Sequence, residues 1–144
     1  MIIAKIKRII GLDLGSKTCG IAVSDPLGYT AQGLKTIRFE EDSYKKAIRL
    51  LKEELAKYDI DKFILGNPKH MNGDLSESSQ RSINFKKRLE DNFKVEVILW
   101  DERLTSVIAD NFMISINMSR EKRKQSIDKL AAVSILQAYL DSIK

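Results

Sequence analysis

One cysteine and one histidine occur in 144 residues, and no apolar run approaches the roughly 18 residues of a membrane span. The lone Cys19 excludes an internal disulfide and fits a reducing compartment. A single His70 leaves no histidine-rich zinc site and no histidine beside the acids discussed below. The opening Met1–Arg8 lacks the long apolar stretch and small-residue cleavage site of a secretory signal, so a cytoplasmic, membrane-free protein is expected. No internal repeat, low-complexity tract or linker interrupts the chain. With 43% apolar residues, it is expected to fold as a single domain over 1–144.

What is present is positive charge. Twenty-five Lys and Arg against 20 Asp and Glu leave a net charge of +5. That balance favours polyanionic partners without identifying one. Its distribution says more: Arg120, Lys122, Arg123, Lys124 and Lys129 crowd the approach to Asp128, with only Glu121 intervening before it. A basic cluster beside a carboxylate suits a phosphodiester substrate.

Hydrophobic periodicity orders the elements. Residues 9–14 and 20–24 read as strands joined by a tight antiparallel hairpin through Gly15-Ser16-Lys17-Thr18. A third strand is expected over 30–39, weakened at Gly33. A helix over 44–57 carries Ala47, Ile48, Leu51 and Leu55, with Ser43 as its N-cap. Next come a buried strand at 62–66, a loop over 67–76, a helix over 78–91 and a strand at 95–100. A short helix capped by Thr105 and a long one from about Gln125 to Ser142 finish the chain. Helix-linked strands late in the chain imply parallel pairing, so the class is α/β: a mixed five-stranded sheet, its first three strands antiparallel, flanked by helices.

Three carboxylates fall where ionised groups are costly. Asp13 ends the apolar run Ile9–Leu12, at or near the C-terminal end of a central strand, where open α/β sheets place ligands. Glu102 follows directly on the strand ending at Trp100, at the corresponding sheet end, and can neighbour Asp13 if their strands are adjacent. Asp128 shares a helix face with Ala131, Ala132 and Ile135, and the two alanines allow close approach to the sheet. Hard oxygen ligands without Cys or His favour Mg2+ or Mn2+ over zinc. Two such ions about 4 Å apart activate water on a phosphodiester without a histidine base. Lys17, Arg103 or Lys129 would neutralise the scissile phosphate, with Arg120, Arg123 and Lys124 as further phosphate contacts.

Singly, each acid has an ordinary alternative: Asp13 a turn, Glu102 a favourable charge at a helix start, Asp128 a cap. Gly15-Ser16-Lys17-Thr18 is not a phosphate-binding P-loop, because Ser16 separates glycine from lysine and a strand replaces the helix. Trp100 is assigned to core packing rather than base stacking. Cys19 is a small buried hydrophobe, His70 a loop residue, and Lys86-Lys87-Arg88 a solvated helix face.

Four segments in order, Gly11–Lys17, Gly20–Asp25, Leu99–Ser106 and Ser119–Ala132, resemble the pre-16S rRNA nuclease (YqgF) family, Holliday-junction-resolvase-like proteins of the RNase H fold. The first segment alone also opens actin-like ATPases; the four together are specific. The resemblance implies an RNase H-like strand order and a metal-dependent endonuclease whose acidic triad falls on Asp13, Glu102 and Asp128. Asp101 then plays a supporting part. The implied substrate is structured precursor rRNA, trimmed at its 5′ end, with ribosomal particles as possible company. The alternatives are four-way DNA junctions, or a non-catalytic nucleic-acid-binding module acting in transcription. Monomer and homodimer both stay open. One departure stands out: Asn67 occupies a position where relatives commonly carry an apolar residue.

Overall fold

A computed structural model describes residues 6–41, 43–67, 77–101 and 120–143, with backbone alone at 77, 78 and 120–129. The elements are β1 (Lys7–Leu14), β2 (Thr18–Ser24), β3 (Ala31–Arg38), α1 (Tyr44–Glu54), β4 (Asp59–Asn67), α2 (Glu77–Phe93), β5 (Glu96–Asp101) and α3 (Arg120–Ser142). The expected Thr105 helix, and residues 68–76 of the expected loop, lie outside the described residues.

The strands form one mixed sheet in the order β3-β2-β1-β4-β5. β1 pairs antiparallel with β2, and β2 with β3, while β1–β4 and β4–β5 are parallel. The Gly15 N–H donates to the Thr18 carbonyl at 2.7 Å, closing the first hairpin. Asp25 closes the second connection by accepting from the backbone N–H groups of Tyr29 and Thr30 at 2.7 and 3.0 Å. The Thr30 N–H foremost, and then, against desolvation that works the other way, those of Tyr29, Gly28 and Leu27 hold the Asp25 carboxyl below the usual carboxylate range. In β3 the register shifts opposite Ile21 and Ala22, whose partners are Lys35 and Gly33, so Leu34, beside Gly33, is the extra residue of a bulge.

Alternation along β1 divides the core in two. Ile10, Leu12 and Leu14 face α1 and α2, joined by Phe63, Leu65, Phe85 and Leu89. The opposite face carries Ala22, Ile64, Ile98 and Trp100 beneath α3, which contributes Ala132, Ile135, Leu136, Tyr139 and Leu140. Burying each large aliphatic side chain contributes about 1.5–3 kcal/mol. Trp100 packs edge-on against Tyr139, ring centroids 5.9 Å apart, in keeping with a core role. Cys19 is fully buried, also as expected.

Several boundaries differ from the expectations. α1 ends at Glu54 rather than Lys57, since Leu55–Lys57 must turn the chain into β4. β4 begins at Asp59 rather than Lys62 because its first residues pair with Lys7 and Arg8 across an irregularity in register. Ser43 has φ −84° and ψ 70° and makes no side-chain cap; only its carbonyl engages the helix, accepting from Ala47 N–H at 3.1 Å. α3 starts at Arg120, ahead of the expected Gln125, because 120–125 is a run of good helix formers without Gly or Pro. The buried stripe of α2 includes Ser79 and Ser82 beside Phe85 and Leu89, which hides its period from a hydrophobicity reading. Asn67 is no loop contact: it ends β4, buried, and accepts from the Ser79 hydroxyl at 2.9 Å.

The tightest fit lies between α3 and β1. A Cβ placed on Gly11 would stand 2.7 Å from Leu136 Cβ and 2.9 Å from the Ala132 carbonyl oxygen. Gly11 pairs with Ala22, so two small residues side by side form the seat of the helix. Gly11→Ala is therefore expected to destabilise the fold by about 1–3 kcal/mol through overpacking, read as a lower urea midpoint. An unchanged midpoint would show that α3 is not seated this closely.

Candidate active site

Asp13 is the penultimate residue of β1, the middle strand of the sheet. Alternation puts its side chain on the α3 face, two residues past Gly11. Its partner on β2 is Gly20, which in turn pairs with Thr36 on β3. On the other side Leu12 pairs with Leu65, so Gly66 is next in line beside Asp13, and Gly66 pairs with Trp100 on β5. The row across the sheet thus reads Thr36, Gly20, Asp13, Gly66, Trp100. A half-buried carboxylate stands between two residues that have no side chain. Glycine inside a strand costs roughly 0.5–1 kcal/mol, so two of them flanking one acid break the local rule at the place where a ligand would need room. In the same row the Thr36 Oγ1 is buried and has no hydrogen-bond partner among the described residues.

α3 crosses this face antiparallel to β1. Gln137, well along the helix, accepts from Ala31 N–H at 2.9 Å and donates to the Tyr29 carbonyl at 3.0 Å. Those residues adjoin the start of β1, where the Ile9 N–H donates to the Ser24 hydroxyl at 2.9 Å. Ala132 and Leu136 lie over Gly11, so the helix N-terminus points towards the Asp13 end. Position 128 is one turn before Ala132, about 6 Å along the axis. Asp13 is two residues past Gly11, about 6.6 Å along the strand. Both positions advance from the same contact, in the same direction and by nearly equal steps.

The remaining expected residues are placed less fully. Glu102 and Arg103 lie outside the described residues, directly after Asp101, the last residue of β5. β5 does not adjoin β1: β4 separates them, a gap of two strand spacings or about 9.6 Å. The condition set for direct adjacency of Glu102 and Asp13 is therefore not met, and Gly66 is the intervening residue. Position 128 and those of Arg120, Arg123, Lys124 and Lys129 belong to the α3 backbone, and their side chains lie outside the described residues. Lys17 is exposed in the β1–β2 turn at the Asp13 end. The expected approach segment Arg120–Lys124 is itself the opening of the helix. Among the described residues no three His, Cys, Asp or Glu cluster to hold a metal.

One cation escaped the sequence reading. Arg38, exposed at the end of β3, pairs with Thr18 and shares the Asp13 face at the same sheet end. Its place depends on the bulge at Leu34, which no local pattern announces.

A mixed sheet in this order, with an acid at the carboxyl end of its central strand and a helix laid across it, is the RNase H-like fold. Solved structures share the shape. T. thermophilus RuvC in complex with a Holliday junction substrate matches with TM-score 0.55 and 13% identity, over 95% of this chain and 96% of that one. The fowlpox virus Holliday junction resolvase matches with TM-score 0.59 and 18% identity, over 95% and 99%. The chain belongs to the family described as RuvX: Holliday junction resolvase, whose model matches residues 7–142, and is a nuclease by that membership. Relatives named "Putative pre-16S rRNA nuclease" include one from Geobacillus sp., 50% identical over 135 residues, covering 94% of this chain and 98% of the relative. Another, from Bacillus subtilis, is 50% identical over 136 residues, covering 94% and 99%.

If the glycines keep space open around Asp13, side chains there should obstruct it without unfolding the sheet. Gly66→Val is expected to lower nuclease activity about 100-fold or more, the scale of a misplaced reacting group, with its circular dichroism spectrum retained. A fully active Gly66→Val protein would remove the open row from the account.

Proposed function

We propose that this protein is a divalent-metal-dependent endonuclease that processes the 5′ end of pre-16S rRNA in the cytoplasm, with Asp13, Glu102 and Asp128 as its metal-holding acids. The observation that carries this reading is the half-buried Asp13 between Gly20 and Gly66, with α3 directed so that position 128 advances to the same end of the sheet. Trp100 lies in the Asp13 row on the α3 face, and a strand that kept its alternation one step further would turn position 102 to that face. A donor set of carboxylates alone fits Mg2+ or Mn2+, and two ions suit the two oxygens of an in-line displacement. When bound, such ions activate the attacking water and stabilise the leaving oxygen.

The chain's own residues have separate parts. Asp13 anchors the site on the middle strand of the sheet. Glu102 and Asp128 complete its charge from either side. Lys17 and Arg38 at this edge, with Arg103, Lys129 and the basic opening of α3, hold phosphates of the substrate. Cations at Arg120, Arg123 and Lys124 add to the positive end of the helix dipole, an arrangement that favours an anionic partner. Relatives half identical in sequence and named for pre-16S rRNA support RNA as substrate. A second reading, cleavage of four-way DNA junctions, is favoured by the description of the family and would take two copies of the chain for symmetric cuts.

The test is cleavage of an end-labelled 16S precursor carrying its 5′ extension, with Mg2+ or Mn2+ supplied. Asp13→Asn is expected to slow cleavage by about 10³-fold, equivalent to about 4 kcal/mol, with RNA binding retained. Undiminished cleavage would remove Asp13 from the chemistry. Cutting of a four-way DNA junction alone would replace the first reading with the second.

A further inference from the structure

The other face of the sheet holds a second basic feature. α1 and α2 lie opposite α3, and between them runs a groove of about 540 Å³ lined by Lys45, Lys46, Arg49, Lys52 and Arg88, with Ser43 and Asn92 at its margins and Ile48 beneath. Among the described residues, none of those lining it is acidic. Among the described residues, none of the five cations makes an ion pair. Two carboxylates on the same helices are engaged elsewhere: Glu54 pairs with Lys35 at 2.9 Å, and Glu90 with Lys86 at 3.4 Å; Glu53 and Asp91 form no ion pair with the groove cations among the described residues.

This arrangement works against the helices that carry it. Lys45, Arg49 and Lys52 repeat at i, i+4 and i+7, a spacing at which like charges repel by a few tenths of a kcal/mol per pair. Lys45 and Lys46 also sit in the first turn of α1, where the dipole disfavours cations, and no acid shares that turn. A solvated face would scatter its charges; here cations from two helices converge on one depression. The run Lys86-Lys87-Arg88 divides accordingly, Lys86 turning to Glu90 and Arg88 to the groove.

We infer that this groove is a second phosphate-binding surface, which takes the sugar-phosphate backbone of a nucleic-acid strand flanking the cleavage edge. Its position fits that occupant. α1 begins just beyond the end of β3, where the Phe39 N–H donates to the Lys17 carbonyl at 2.9 Å, so the groove opens at the Asp13 end of the sheet. Arg38, on the Asp13 face, and Lys17, in the β1–β2 turn, stand exposed at that end. From there the cations run back along α1 for about 10 Å, matching about three consecutive phosphates of one strand. The inference rests on the nuclease reading only in taking the bound strand to be the flank of the substrate.

The test is fluorescence anisotropy in EDTA, so that binding is read without cleavage. The probes are an RNA hairpin with a single-stranded flank long enough to round the edge, and the same hairpin without it. For Arg49→Ala/Lys52→Ala/Arg88→Ala, the Kd of the flanked hairpin is expected to rise about tenfold at about 0.1 M salt. The slope of log K against log salt should become shallower by about 2, three contacts at about 0.7 each. The unflanked hairpin should bind as before, and Arg49→Lys/Arg88→Lys should behave like the parent protein. These side chains other than Ile48 are at least partly exposed, so the unfolding midpoint should not move. Equal Kd and slope for the flanked hairpin would overturn the inference. Stoichiometric capture of free tripolyphosphate, with no contribution from the flank, would overturn the strand as occupant. Groove-dependent binding by a protein that cuts nothing would uphold the groove and defeat the nuclease reading instead.

Discussion

The contact on which the molecule turns is the seating of α3 on Gly11. No other residue at that position lets the helix backbone come so near the sheet, since even a methyl group would meet Leu136 and the Ala132 carbonyl. The contact fixes the height of the helix, and the hydrogen bonds of Gln137 to the β2–β3 connection fix its direction. Height and direction together decide where position 128 falls relative to Asp13. A helix raised by one side chain would keep much of its buried area and lose the proposed site.

The second constraint is the absence of a side chain on either side of Asp13. Gly20 and Gly66 weaken the two strands that flank the most central one, on either side of the same acid. Stability is surrendered next to a carboxylate whose own burial is unfavourable. Such coincident costs are characteristic of sites that need space and charge at one point. The buried Thr36 hydroxyl in the same row, without a partner among the described residues, is of the same kind.

The legible features were local ones. Alternation showed β1 and β2, the Gly15–Thr18 turn showed their hairpin, and a carboxylate closing an apolar run singled out Asp13. Pairing between distant strands was not legible, because β4 enters between β1 and β5 through contacts that no short window contains. For that reason Gly20 and Gly66 could be read as ordinary glycines but not as the two neighbours of one acid. α2 concealed its inner face behind Ser79 and Ser82, and the hydrogen bond from Ser79 to Asn67 explains why a polar residue ends β4. The basic groove was equally hidden, since Arg88 joins the α1 lysines only once both helices are docked.

The central claim is that Asp13, Glu102 and Asp128 meet around the same ions. Anomalous diffraction from crystals grown with Mn2+ tests it most directly. The account predicts one or two manganese peaks at the carboxyl end of β1, with oxygens of all three acids at about 2.0–2.3 Å. Manganese bound elsewhere, or a Glu102 or Asp128 carboxylate turned away from an occupied Asp13 site, would contradict it.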